Sequence, residues 1–178
     1  MDYDKVKKRD KIGKGNLTLL IVLGGGGHTQ QMLKLVDELD KKGKFNYEYV
    51  ISSDDTISTR RIKHKGRVFR ILNPRKMTDK NFFLVFLKFI PSSFQALSVL
   101  FRSKATGVLS CGPALSIHLS LLGKLFFRKK IIFLESWSRV YSKSLAGKFT
   151  YGISDLFFVQ WEQEKKNYPK AVYAGRLG

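Results

Sequence analysis

The stretch Leu17 to Thr29, LTLLIVLGGGGHT, constrains this chain more than any other. Six of its first seven residues are apolar. An apolar run this short that stops at glycine reads as a strand buried on both faces. Gly24, Gly25, Gly26 and Gly27 then let the backbone turn sharply and leave no side chain in front of it. Behind them Met32, Leu33, Val36 and Leu39 repeat at helical spacing, with Gly43 as a stop. Strand, glycine turn and helix start aim unpaired N–H groups and a positive helix end at one point, which suits phosphate. The run is neither the spaced dinucleotide fingerprint nor a Walker loop. On the residues alone two readings stand: an anion site built from the four glycines and Thr29, or a tight turn without a ligand. His28 at the tip is either a base, neutral near pH 7 and able to take a proton from a hydroxyl, or a plain helix-start side chain.

With 178 residues the chain is long enough for one domain with a real core. Its 33 Lys and Arg stand against 14 Asp and Glu, a formal charge of +19, which implies an anionic partner: nucleic acid, acidic lipid or a phosphorylated substrate. The single Cys111 excludes an internal disulfide and a zinc cluster. There is no signal peptide, and residues 1–16, charged throughout, read as a solvated basic tail ahead of a domain over 17–178.

Beyond the first unit the chain alternates. Asn46 to Ser53 reads as a second strand, Arg60 to Arg67 as a short exposed helix or loop, and Val68 to Leu72 as a third strand. From Arg60 to Lys80 there are nine Lys or Arg and one acid, Arg75, Lys76 and Lys80 among them. Fourteen of the twenty residues from Phe82 to Phe101 are apolar. Lys88 and Pro91 interrupt that segment, so it does not read as a membrane span. It reads either as a crossover helix or as a helix lying in a membrane interface, with Phe82, Phe83, Phe86, Lys88 and Phe89 in contact. Thr106 to Ser110 is a fourth strand, Pro113 opens a helix over Ala114 to Phe127, and Lys130 to Ser136 is a fifth strand ending at Glu135. A short helix over Ser144 to Gly152, a strand over Leu156 to Gln160, a short helix over Gln163 to Tyr168 and a last strand over Ala171 to Arg176 complete the chain.

The alternation predicts an α/β fold, a Rossmann-like, doubly wound, mainly parallel sheet. Ligands of such sheets bind beyond the carboxyl ends of the strands, at the switch point. The turn at Gly24 to His28, a second from Ser110 through Gly112 to Pro113, and a third from Glu135 through Ser136 to Arg139 should therefore line one crevice. Glu135 at a strand end is either functional or a strand cap paired with Arg139. No second acid stands near Glu135 to pair on a metal, and there is neither an Asp-x-Asp nor a Gly-x-Ser-x-Gly motif, so a metal enzyme and a serine hydrolase are not expected.

Four motifs occur in order: GGGGHT at Gly24, ESWSRV at Glu135, VQW at Val159 and YAGRL at Tyr173. In these the chain resembles the asparagine-linked glycosylation protein fourteen family and its bacterial and archaeal polysaccharide-biosynthesis relatives, from about Leu17 to Gly178. More remotely it is similar to the N-terminal half of the peptidoglycan GlcNAc transferase that acts on an undecaprenyl-linked acceptor. The resemblance implies the acceptor-side, membrane-associated half of a split, inverting GT-B glycosyltransferase. A separate subunit would bind the UDP-sugar. Together they would add the second GlcNAc to GlcNAc-diphosphate-dolichol on the cytosolic face, or, in bacterial relatives, a sugar to a polyprenyl-diphosphate sugar. His28 and the glycine turn match the family's loop, facing the acceptor diphosphate and its hydroxyl, and Glu135 matches a motif Glu; these two are the catalytic candidates. No cofactor and no metal are implied.

Two departures matter. Eukaryotic members usually carry an N-terminal membrane helix, which this sequence lacks, so either the chain is prokaryotic, or it is a truncated form, or anchoring falls to Arg60 to Phe101. The membrane would be the endoplasmic reticulum in a eukaryote and the cell membrane in a prokaryote. The family often has Glu where Gln31 stands, so no chemistry is assigned there. Two further readings compete. A nucleic-acid module would fit +19 but lacks a recognition helix or interleaved aromatics. A non-catalytic membrane scaffold recruiting the donor subunit differs only in whether His28 and Glu135 touch the reaction.

Overall fold

Strand β1 (Leu17–Val22) is the middle of the molecule because its side chains are apolar on both faces. In the computed structural model, which describes residues 17–73 and 82–177 (of 82–87 only the helical backbone), Leu20 and Val22 point to one side of the sheet, and Leu19, Ile21 and Leu23 to the other. Alternation of this kind needs a helical layer on each face. The chain supplies both through α1 (Gly26–Asp40), β2 (Phe45–Ser52), α2 (Ser58–Arg61), β3 (Gly66–Ile71), α3 (Phe82–Arg102), β4 (Gly107–Ser110), α4 (Ala114–Phe127), β5 (Lys130–Leu134), α5 (Leu145–Thr150), β6 (Leu156–Val159), a short 3₁₀ turn at Glu162–Lys166, and β7 (Val172–Tyr173).

The seven strands are all parallel and ordered β3-β2-β1-β4-β5-β6-β7. The order reverses between β1 and β4, where Val22 lies beside Ser110. This is the Rossmann-like doubly wound sheet expected, with its switch point at the glycine turn. On one face α1 packs Met32 and Val36 against Ile21, Tyr49 and Leu109. On the other, α3 and α4 bring Ala96, Val99, Leu100, Leu115 and Leu119 onto Leu20, Val22 and Ile131. A third cluster, Phe133, Phe157 and Tyr168, closes the β6 end, with the two Phe rings stacked 5.0 Å apart.

Several boundaries differ from expectation, each for a local reason. Gly26 and Gly27 are helical, so the glycine turn is only Leu23–Gly25 and α1 begins two glycines early. Pro113 is the extended residue just before α4, not its first turn. Helix α5 stops at Thr150, its start capped by Ser144, whose hydroxyl accepts from Gly147 N–H at 2.8 Å. Strand β7 spans two residues because Ala174 to Leu177 leave the ladder. The Phe82 segment is one helix through Pro91 and is the crossover from β3 to β4.

Leu119 is fully buried in the larger core, and Leu119→Ala should cost roughly 2–5 kcal/mol, a fall in Tm of about 5 °C or more. Thermal unfolding followed by circular dichroism checks this; an unchanged Tm would show that the α4 face is not packed as described.

Candidate functional site

The switch point brings two turns into contact. A Cβ on Gly24 would collide with the Pro113 ring, so the chain leaving β1 can pass the chain leaving β4 only without a side chain. Gly112 holds φ at +108°, where a side chain is strained, and a Cβ there would lie 3.3 Å from the His28 ring. Cys111 Sγ donates to the His28 carbonyl at 3.0 Å. His28 is thus held in the first turn of α1, half-buried against Cys111 and Gly112, with Nδ1 buried and making no hydrogen bond of ordinary geometry. Burial pulls the imidazole pKa below its ordinary value; the Cys111 backbone and the Glu135 charge oppose this and Arg139 assists it. The ring is therefore neutral at physiological pH and can accept a proton.

The glycines have separate reasons. Gly25 and Gly26 hold φ at +75° and +55°. Gly25 N–H donates to Thr29 Oγ1 at 3.0 Å, which lies 3.0 Å from Ser58 Oγ, which donates to Asp55 at 2.5 Å. Burial alone would raise the Asp55 pKa; the Ser58 hydroxyl and the Ser58 and Ile57 amides outweigh it and hold the carboxyl below its usual range. Gly25 N–H and Thr29, both expected to bind anion, are therefore occupied by the fold. The next amides, from Gly26 to His28, open a helix and so have no carbonyl one turn before them. Gly26 and Gly27 are exposed. Gly27 has neither a positive φ nor any atom within 4 Å of an added Cβ, so the fold gives no reason for it to be glycine.

The third turn corrects the sequence reading. Glu135 is fully buried and does not face an open crevice. One carboxylate oxygen accepts from Ser136 N–H at 2.9 Å. The other accepts from Ser144 N–H at 3.3 Å, Ser144 Oγ at 3.0 Å and Tyr168 Oη at 2.8 Å. It anchors the segment 136–144 to the start of α5. Ser136 is buried too, its hydroxyl 3.0 Å from that of Ser138. Arg139 is exposed and donates to Ser142 Oγ at 3.3 Å. Ser110 is buried and does not line a cleft either.

Sequence reasoning missed two glutamines. Gln31 and Gln160 are fully buried, and both donate to the Glu135 carbonyl, at 3.2 and 2.8 Å. Gln31 also accepts from Trp137 N–H at 3.4 Å, Gln160 from Leu177 N–H at 3.2 Å, and Trp161 Nε1 donates to the Trp137 carbonyl at 2.7 Å. The signal for Gln31 was its place between His28 and Leu35 on the inward side of α1. Glu164 was missed as well. It is fully buried, neither carboxylate oxygen makes a hydrogen bond of ordinary geometry, and burial and then the Glu135 charge raise its pKa to about 8 against the Gln160 backbone and the Arg139 charge.

Of the expected interface residues, Arg75, Lys76 and Lys80 lie outside the described residues, as do the side chains of Phe82, Phe83 and Phe86. Lys88 and Phe89 are half-buried, and the Phe89 ring stands edge-on to His118 of α4 at 5.5 Å. Among the described residues no helix is long and apolar enough to cross a membrane, and no three metal-ligating side chains converge.

The family model for oligosaccharide biosynthesis proteins like Alg14 matches residues 19–177. The chain is 36% identical over 183 residues to the UDP-N-acetylglucosamine transferase subunit ALG14 of Rattus norvegicus, covering 91% of this chain and 83% of that one. It is 34% identical to the Schizosaccharomyces pombe subunit, covering 88% and 81%, and 31% identical to the Homo sapiens subunit, covering 97% and 88%. In fold it is similar to MurG of Acinetobacter baumannii, with a TM-score of 0.66 at 11% identity, covering 83% of this chain and 42% of that one. It is also similar to the UDP-GlcNAc 2-epimerase of Neisseria meningitidis, with a TM-score of 0.65 at 16% identity, covering 86% and 43%. The chain thus spans about two fifths of either of these solved chains.

A carboxyl whose folded pKa of about 8 exceeds its ordinary value of 4.5 holds its proton more tightly in the folded state, so stability falls as pH rises between those values. Glu164→Gln removes that loss. Its Tm should match wild type near pH 4.5 and exceed it by about 5 °C at pH 9; parallel Tm curves across this range would refute the buried, protonated Glu164.

Proposed function

The chain belongs to the family of Alg14-like oligosaccharide biosynthesis proteins, and from that premise we propose that it is the acceptor-side subunit of an inverting UDP-GlcNAc transferase acting on a polyprenyl- or dolichyl-diphosphate-linked sugar. The relatives' names call them subunits, which supports a second, donor-binding chain. An apolar groove of about 330 Å³ supports it too. It lies on the α1 face, between Leu35 and Leu39 of α1, Ile132 of β5 and Phe158 of β6, where no helix among the described residues covers the sheet; we assign it to that partner. The net charge of +19 supports work at the anionic cytosolic face of a membrane.

In this reading the amides from Gly26 to His28 and the positive end of α1 hold the acceptor's diphosphate. Neutral His28 takes the proton of the acceptor hydroxyl as its oxygen bonds to the anomeric carbon. The bond from that carbon to UDP breaks, and UDP leaves with the electron pair beside the partner. His28 is the catalytic residue. Glu135 is a positioning residue that holds segment 136–144 at the crevice. The observation that carries this is Gly27: a glycine the fold does not need, on the exposed first turn that the substrate would approach.

The test is reconstitution with the donor-binding chain and assay on polyprenyl-diphosphate GlcNAc. Neither chain alone should turn over UDP-GlcNAc, and turnover by this chain alone would refute the split site. His28→Ala in the complex should cost about 10²-fold or more in rate; near-normal rate would make the protein a scaffold. Gly27→Ala should leave Tm unchanged or raise it slightly, since alanine is the better helix former by about 1 kcal/mol. It should nevertheless raise the acceptor KM severalfold without changing that of UDP-GlcNAc. An unaltered acceptor KM would remove the diphosphate from this turn.

A further inference from the structure

Helices α3, α4 and α5 form one layer on the face of the sheet opposite α1, and its outer surface has an unusual composition. A surface helix normally turns its polar side outward. Here the outward stripe of α3 carries Ile90, Phe94 and Phe101, that of α4 carries Leu121, Leu125 and Phe126, and that of α5 carries Leu145 and Phe149. Phe101 is 82% exposed, Phe94 and Phe126 68%, and Phe149 61%. Single exposed apolar residues need no explanation, but three adjacent helices each presenting large ones do. The charges on this layer are predominantly positive. From Asn81 to Asp155 there are ten Lys and Arg against two acids, Glu135, which is buried, and Asp155, which pairs with Lys124 and Lys130. Arg102, Lys104, Arg128 and Lys148 are exposed beside the apolar stripes.

We infer that the outer face of the α3–α4–α5 layer lies flat on an anionic lipid bilayer, with the aromatic and leucine side chains at the headgroup–acyl boundary and the cations on the headgroups. The inference rests on the reading that the protein works at a membrane and deepens it: it names the surface, extends it from α3 to two helices not suspected from sequence, and orients the molecule. Charge decides the occupant. A protein interface depletes lysine, whereas apolar side chains rimmed by cations in large excess over acids are what an anionic surface retains. Each helix presents its apolar residues along one outward side while its other side packs on the sheet, so the contact is lateral. The strands then run along the membrane plane, and the apolar groove on the α1 face points to the aqueous side, open to a soluble partner.

The full chain offers a direct test, because its one cysteine, Cys111, is buried and leaves introduced cysteines as the reactive ones. An environment-sensitive dye on Phe126→Cys, on Phe149→Cys, and on Glu38→Cys of α1 as the opposite-face control reports each surface. With vesicles of phosphatidylcholine and phosphatidylglycerol, the dyes at 126 and 149 should brighten and be quenched by bromolipid, while that at 38 should not. With phosphatidylcholine alone or at high salt the response should be much weaker. Sedimentation with anionic vesicles without brightening at 126 and 149 would overturn this surface and leave the membrane reading standing. Failure to sediment would overturn both. A lipid-free dimer of the wild-type chain that Phe126→Ser dissociates would assign the face to a second copy and overturn the inference.

Discussion

The contact between Gly24 and Pro113 is the constraint from which the rest of the site follows. At the switch point two neighbouring parallel strands send their chains to opposite faces, β1 to α1 and β4 to α4. The two turns must pass at van der Waals distance, and only a residue without Cβ allows it. Once they touch, Gly112 gives room for the His28 ring, and Cys111 ties down the His28 backbone. The histidine's half-burial, and hence its neutrality, is a consequence of strand order rather than of its own neighbours in sequence.

The turn after β5 is held by polar groups. Burying a carboxylate is unfavourable unless donors replace the lost water. Glu135 accepts from four donors; Glu164 has no hydrogen bond of ordinary geometry, and burial raises its pKa to about 8. Around them two buried glutamines, from α1 and from the end of β6, meet on one carbonyl. Such a network is directional, so it fixes the segment after β5 more sharply than apolar packing would. It also explains why a glutamic acid in the expected place is no candidate base: its oxygens are already committed.

The two faces of the sheet are unlike. On the α1 face, helix covers β1 and β2 and leaves an apolar groove toward β6. On the other, three helices pack on the sheet but expose apolar side chains outward. In the proposed reading, a subunit that works with a partner on a lipid-linked substrate needs one face for each neighbour, and this asymmetry offers them.

The fold was legible because it depends on local pattern: the apolar runs at Leu17 and Lys130, the helical spacing behind His28, and the glycines between strand and helix. The family was legible from four short motifs, and the meeting of the turns after β1 and β4 from the alternation of elements alone. What only the tertiary structure decided was the state of each polar group there. The sequence could not show that Thr29 and Gly25 N–H are turned inward to Ser58, that Glu135 is sealed under Tyr168, or that Gln31 and Gln160 meet 129 residues apart in sequence. Nor could it show that Leu125 and Phe149 point outward. Periodicity reports which residues are apolar, because that is a property of each residue. Which donor reaches which acceptor, and which apolar side faces water, depends on elements far apart in the chain being brought together, and that information exists only after they pack.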